Sequence, residues 1–248
     1  MTAASLRRNL HSRQLFHEQK LLSKIGCEDR SMKLEIPAGP FRAYLFDCDG
    51  TIADSMPLHY IAWTQALSEW GCALPERTFY SWGGLPVATI ISLLNEEHGL
   101  SMPVEAVAHR KEQLYYEILP QLQAVPEVLE QIEAQHGRIP FAVVSGSTRD
   151  SVTASLKALH LLDKFDVLVC AGDYKNSKPD PEPFLTAAAK LGVPPELCLV
   201  FEDTEMGIQA ATAAGMKSVK ILQPWEKNRE FLLNDAPDES RKDSIKNS

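Results

Sequence analysis

Residues 43–51 read Ala-Tyr-Leu-Phe-Asp-Cys-Asp-Gly-Thr, a four-residue apolar run that stops abruptly in a polar loop carrying two acids. A short apolar run bounded by turn-forming residues is the pattern of a buried strand. Phe141–Val144, Val167–Val169, Leu197–Phe201 and Ser218–Leu222 repeat the form. Between them, apolar residues recur at helical spacing over Glu127–His136, Ser151–Leu159, Pro183–Leu191 and Glu205–Ala214. Strands alternating with helices predict an α/β fold, a doubly wound parallel sheet. The first two strands are far apart, and residues 55–125 hold helical patterns alone: Leu58–Trp70, Pro86–His98 and Val104–Leu119. That stretch is expected to be an inserted helical cap. The expected organisation is an N-terminal extension (1–40), a core (41–54 and 126–222), the cap (55–125) and a C-terminal helix and tail (223–248).

In open parallel sheets, ligands bind beyond the carboxyl ends of the strands. The residues placed there are Asp47-Cys48-Asp49-Gly50-Thr51, Ser145-Gly146-Ser147-Thr148, Lys178-Pro179 and Glu202-Asp203. Asp47 and Asp49 lie two apart, so an extended backbone aims both to one side. Two carboxylates there need a cation, and Asp203 as a third oxygen donor suits Mg²⁺. With Mg²⁺ and Lys178 neutralising a phosphate, Asp47 could attack phosphorus as a nucleophile. Asp49 would then protonate the leaving oxygen and deprotonate the attacking water. Ser145 and nearby backbone N–H groups could hold phosphoryl oxygens. Gly50 lets the chain turn sharply. Taken singly, Ser145 could instead cap a helix, Lys178 could be solvated, and the Glu202-Asp203 pair could cap the next helix. Cys48 alternates away from its acidic neighbours and is expected to pack in the core.

In that order and placement, these four segments resemble the motifs of the haloacid dehalogenase superfamily, and the similarity spans about Arg42 to Leu222. Within it, the sugar-phosphate phosphatases and β-phosphoglucomutase are the most similar subgroup. The resemblance implies a Rossmann-like core, Asp47 as nucleophile and Asp49 as acid/base. It implies Mg²⁺ held by Asp47, the Asp49 carbonyl and Asp203, with Glu202 reaching the metal through water. It implies a phosphoryl site of Thr51, Ser145, Gly146 and Lys178. It also places His59 near the active site, with a structural role at the hinge left open.

The cap separates the reactions open to such a protein. Related phosphonate hydrolases use an early cap lysine, and no lysine precedes Lys111 here. The dehalogenases lack the second aspartate that Asp49 supplies. A mutase must grip two phosphates, and the loop Ser81–Val87 carries no cation, nor does Tyr116-Glu117-Ile118. Net hydrolysis of small phosphorylated metabolites, sugar phosphates above all, is therefore expected, with a β-phosphoglucomutase-like mutase as the alternative. Trp82, Gly83 and Gly84 form a candidate specificity loop, in which Trp82 could stack on a sugar or simply pack against the cap and core. Hinge segments are expected near Asp54–Ser55 and Ala124–Pro126.

Composition agrees with this reading. The 248 residues are 44% apolar and 23% charged, with a net charge of −8. That balance argues against a nucleic-acid partner, and no apolar run is long enough to span a membrane. Five scattered cysteines without a CxxC pair suit a reducing compartment, and a cytoplasmic monomer is the expectation. Residues 1–40 carry seven basic and four acidic residues, leaving the rest near −11. The acid-free start resembles an organelle presequence in composition, though a short extension ahead of a true start at Met32 fits as well.

Overall fold

The structure is a computed structural model that describes residues 34–83, 85–223 and 226. The N-terminal extension up to residue 33, Gly84 and nearly all of the C-terminal segment lie outside the described residues. Five short strands form one parallel sheet: β1 (Ala43–Phe46), β2 (Phe141–Val144), β3 (Val167–Val169), β4 (Cys198–Glu202) and β5 (Lys217–Lys220). Their spatial order is β3-β2-β1-β4-β5. β1 is central, with Phe46 opposite Val143 on one side and Phe201 on the other. The chain builds outward through β2 and β3, then returns to add β4 and β5. The ends of β1 and β4 thereby become neighbours at the point where the winding reverses, where such sheets bind ligands.

The doubly wound expectation holds, and strand alternation shows why. Tyr44, Phe46, Phe141, Val143, Leu199 and Phe201 face one side. There they meet Val128 and Ile132 of α5 (Pro126–Gln135) and Val152 and Leu156 of α6 (Arg149–Ala158). The intervening residues Ala43, Leu45, Ala142, Val144 and Val200 face the other side. They pack on Phe184, Ala187 and Ala188 of α7 (Glu182–Leu191) and Ala210 and Ala211 of α8 (Glu205–Ala213). With both faces covered, the strands read as continuous apolar runs rather than alternating ones. Phe46 stacks on Phe201 with ring centroids 4.6 Å apart and meets Phe141 edge-on at 5.4 Å.

Local chemistry sets the helix ends. Thr148 caps α6 by accepting from Ser151 N, and Thr204 caps α8 by accepting from Gly207 N. α7 stops at Gly192, which adopts the left-handed conformation that glycine tolerates. β4 starts one residue later than expected because Pro195–Leu197 form a 3₁₀ turn, and it extends to Glu202.

The insertion between β1 and β2 is helical throughout: α1 (Met56–Ser68), α2 (Glu76–Ser81), α3 (Val87–His98) and α4 (Val104–Ile118). α2 was not expected; its six residues, Glu-Arg-Thr-Phe-Tyr-Ser, are too few to show a helical period. The two strands of backbone entering and leaving the insertion pair with each other. Asp54 N donates to Gln123 O at 2.9 Å and Val125 N to Ile52 O at 3.0 Å. α4 buries Val107, Lys111, Leu114 and Tyr115 on one face, so a lysine sits within its apolar stripe. Among the described residues, no helix is long and apolar enough to cross a membrane.

Phe46 is fully buried among four aromatic rings. Phe46→Ala is expected to lower unfolding stability by about 3–5 kcal/mol, read as a reduced midpoint in urea denaturation.

Candidate active site

The carboxyl ends of β1, β2 and β4 bring their loops to one place. Asp47 follows β1, Ser145 follows β2, and β4 ends in Glu202 with Asp203 next. Asp47, Glu202 and Asp203 are all buried, and one carboxylate oxygen from each lies within 4.8 Å of the others. Three like charges this close repel strongly in a poorly screened interior. Lys178 answers part of that repulsion. Its Nζ donates to Asp47 Oδ1 at 2.6 Å, to Glu202 Oε1 at 2.7 Å and to Val144 O at 2.9 Å. All three ammonium protons are used, and the charge is fixed between two acids.

The remaining oxygens are also committed. Glu202 Oε2 accepts from Thr204 N at 2.7 Å and from its hydroxyl at 2.8 Å. With Lys178 on the other oxygen, both Glu202 carboxylate oxygens are hydrogen-bonded. The room for Glu202 comes from Gly207 in the first turn of α8, where a Cβ would lie 1.9 Å from Glu202 Cδ. Asp203 accepts from Thr51 Oγ1 at 3.2 Å and from Gln223 Nε2 at 2.9 Å. Thr51 is fully buried. Its hydroxyl is thus bound to Asp203. Gly50 adopts φ +81°, and a Cβ there would meet Asp203 Oδ2 at 2.4 Å. The position is closed to any other residue on both counts.

Charge balance inside the cluster favours an added cation. Burial pushes the Asp47 carboxyl up to about 7; Lys178 opposes this and Glu202 adds to it. Burial likewise raises Asp203, helped by Asp47 and Glu202. Burial alone would lower Lys178, but Asp47 and Glu202 together raise it, so it stays charged. Three hard oxygen donors with one lysine between them fit a small divalent cation.

Asp49 points elsewhere. Its side chain is not part of that cluster but accepts from Ser55 Oγ at 2.7 Å, Ser147 Oγ at 2.7 Å and His59 Nε2 at 3.3 Å. The two carboxylates still lie near enough for the Asp49 charge to raise the Asp47 pKa, while Cys48 between them is buried in the core. Gly50 turns the chain immediately after Asp49, and the local backbone is no longer extended. Burial raises the Asp49 carboxyl, but the His59, Ser147 and Ser55 donors outweigh it and hold Asp49 below the usual carboxylate range.

His59, on α1, stacks on Tyr115 of α4 at a centroid distance of 4.0 Å. Its Nδ1 is buried without a hydrogen-bond partner. Burial and the Lys111 ammonium lower its pKa. Lys111 is 5% exposed and lies 5.4 Å from the Tyr115 ring. Burial lowers its own pKa, while Glu112 and Asp49 work the other way. Tyr115 Oη meets Ser155 Oγ at 3.2 Å, joining α4 to α6.

Ser145 is 2% exposed and accepts from Ser147 N at 3.0 Å. Gly146 follows it with open space where a Cβ would stand. Trp82 and Gly83 are half-buried, and Trp82 packs on the cap cluster of Trp63, Phe79 and Ile90. Gly84 lies outside the described residues. Cys48 is fully buried in the core, and burial raises its thiol pKa, as expected for a packing residue.

Ser55, Ser147, Lys111, Tyr115 and Gln223 were not singled out from the sequence as site residues. For Lys111 a signal existed: a cation four residues after Val107 and four before Tyr115, in an otherwise apolar stripe. The hydroxyls and Gln223 carry no such mark.

Residues 44–221 match the family model described as haloacid dehalogenase-like hydrolase. The chain is 35% identical over 182 residues to the fructose-1-phosphate phosphatase YqaB of Escherichia coli, covering 73% of this chain and 96% of that protein. It is 30% identical over 188 residues to a phosphorylated carbohydrates phosphatase of Thermotoga maritima, covering 71% of this chain and 83% of that one. The β-phosphoglucomutase structure from Clostridium difficile matches with a TM-score of 0.63 and 28% identity, over 72% of this chain and 83% of that one. With its capped parallel sheet and its buried acids at the ends of β1 and β4, the chain belongs to the haloacid dehalogenase-like hydrolases.

Proposed function

We propose that the protein is a Mg²⁺-dependent phosphatase that hydrolyses small phosphorylated metabolites, sugar phosphates above all, through an aspartyl-phosphate. The observation that carries this reading is the trio Asp47, Glu202 and Asp203 gathered around Lys178. Asp47, the Asp49 carbonyl and Asp203 would hold Mg²⁺, with Glu202 acting through water. Bound there, Mg²⁺ would neutralise the phosphoryl oxygens so that a carboxylate can approach phosphorus.

The chain's own residues account for the rest. An Asp47 carboxylate oxygen attacks phosphorus as the bond from phosphorus to the ester oxygen breaks. Asp49 gives its proton to that departing oxygen. Water then attacks phosphorus, Asp49 takes the proton, and the bond between Asp47 and phosphorus breaks to release phosphate. Lys178 holds the negative charge of the phosphoryl group and of Asp47 together. Ser145 and the backbone at Gly146 orient phosphoryl oxygens. Asp49 must first give up bonds to Ser55, Ser147 and His59 to carry a proton, which ties its chemistry to the position of α1 in the cap. Trp82 and Gly83 would meet the leaving group. Closing of the cap about the paired linkers would exclude bulk water.

The mutase alternative draws support from Lys111, a buried cap cation that the lack of a cation at Ser81–Val87 and Tyr116–Ile118 did not anticipate. The names of the two sequence relatives favour hydrolysis. Phosphate release from a panel of sugar phosphates with Mg²⁺, using Asp47→Asn as the blank, tests the reading directly. The expected result is release from at least one substrate, lost on the order of 10³-fold or more in the blank. Conversion of β-glucose 1-phosphate to glucose 6-phosphate with little phosphate release would instead establish the mutase.

Gly207→Ala is expected to displace Glu202 and with it Lys178, lowering phosphate release on the order of 10²-fold, with melting retained in a thermal scan. The raised Asp47 pKa also has a signed consequence. Folded Asp47 holds its proton up to about pH 7, against an ordinary value of 3.8. Its contribution to stability is therefore present at low pH and fades as pH rises through 7. A divalent cation competes with that proton. The rise in melting temperature on adding Mg²⁺ is accordingly expected to be larger at about pH 8 than at about pH 6; a pH-independent rise would contradict the assignment.

A further inference from the structure

The acidic cluster has one wall that neither the loop after β1 nor the end of β4 supplies. After β5 the chain returns over the site, and Gln223 there is 2% exposed. Its Nε2 donates to Gly50 O at 2.7 Å and to Asp203 Oδ2 at 2.9 Å. These acceptors stand on different strand ends, Gly50 after β1 and Asp203 after β4. The three groups touch without slack, since a Cβ on Gly50 would meet Asp203 Oδ2 at 2.4 Å and Gln223 Nε2 at 2.8 Å. Asp203 Oδ1 is engaged separately by Thr51 Oγ1 at 3.2 Å.

The segment carrying Gln223 is itself anchored. Gln223 N donates to Glu226 Oε2 at 2.8 Å, and Glu226 pairs with Lys220 of β5 at 3.8 Å. Lys220 Nζ donates to the Asp203 carbonyl. Asp203 is thus held at its backbone by Lys220 and at both carboxylate oxygens by side chains. A carboxylate oxygen offers two lone pairs. Each Asp203 oxygen accepts one of these hydrogen bonds and keeps a lone pair for a cation. Left alone, a carboxylate rotates broadly about its last torsion; two donors on opposite oxygens remove that freedom in advance.

We propose that Gln223 is a positioning residue for the cation site, its amide locking the Asp203 carboxylate against the Gly50 carbonyl so that the acid meets a divalent cation in one orientation. This rests on the reading that Asp203 is a cation ligand. Gln223 touches no reacting atom and acts through Asp203. Partners that orient a metal ligand from outside commonly set metal affinity.

The experiment titrates Mg²⁺ alone into the full chain by calorimetry, without substrate, and records melting in chelator alongside. Gln223→Met keeps the volume and removes the donor. Gln223→Asn keeps an amide but cannot span both acceptors. Lys217→Met serves as the control, since Lys217 lies on β5, the strand that leads to Gln223, and bonds Ala38 O, away from the cluster. Gln223→Met is expected to weaken Mg²⁺ binding on the order of tenfold or more, with melting in chelator close to wild type. The Mg²⁺ concentration for half-maximal phosphate release should move with it, while kcat at saturating Mg²⁺ changes far less. Lys217→Met should bind as wild type does. A folded Gln223→Met with unchanged Mg²⁺ affinity overturns the proposal, and if that variant fails to fold, Gln223→Asn decides by the same criterion. Wild-type protein that binds no Mg²⁺ overturns the cation reading and this inference together, so the two failures are distinguishable.

Discussion

The structure depends on keeping three buried carboxylates within 4.8 Å of one another. A single lysine makes this tolerable. At an effective dielectric of about 20, each close pair of charges is worth about 4 kcal/mol, so Lys178 between Asp47 and Glu202 offsets much of the repulsion but not all. The residual excess of negative charge is what recommends the site for a cation, and with it for a phosphate that would otherwise be repelled.

The fold delivers these groups by sheet order rather than by proximity in sequence. Asp47 and Glu202 are 155 positions apart in numbering yet end adjacent parallel strands paired at Phe46 and Phe201. Two glycines make the packing possible for different reasons. Gly50 turns at positive φ beneath Asp203, and Gly207 opens the first turn of α8 for Glu202. Asp47 and Asp49, a single residue apart, have different partners: Lys178 for Asp47, and Ser55, Ser147 and His59 for Asp49. One sits where burial raises it and a cation would bring it down. The other is tied by hydroxyls and an imidazole belonging partly to the cap.

Much of this was legible in the sequence, for a physical reason. A strand buried on both faces must be apolar throughout, so AYLF, FAVV and LCLVF stand out, and the polar residues that end them mark the sheet edge. The acids, Ser145 and Lys178 could be singled out from their order and placement taken together, though not one by one. The short helix at Glu76–Ser81 could not, having too few residues for a period. Ser55, Ser147 and Gln223 could not either, because an uncharged polar residue in a loop gains meaning only from what it reaches across the fold. The bonds from Thr51 to Asp203 and from Ser147 to Asp49 could not be read locally, because each joins residues far apart in the chain. Lys111 was visible as a lysine in an apolar stripe, one helical turn before Tyr115, but the stacking of His59 on that ring depends on the docking of α4 on α1.

The central claim is that Asp47 itself takes the phosphoryl group. Rapid acid quenching of a single turnover with a sugar phosphate the enzyme hydrolyses, followed by mass spectrometry of the peptides, examines that bond directly. The account predicts a hydroxylamine-sensitive phosphate adduct on Asp47 that is absent from Asp47→Asn. Unmodified Asp47 throughout the turnover, together with retained phosphate release by Asp47→Asn, would contradict it.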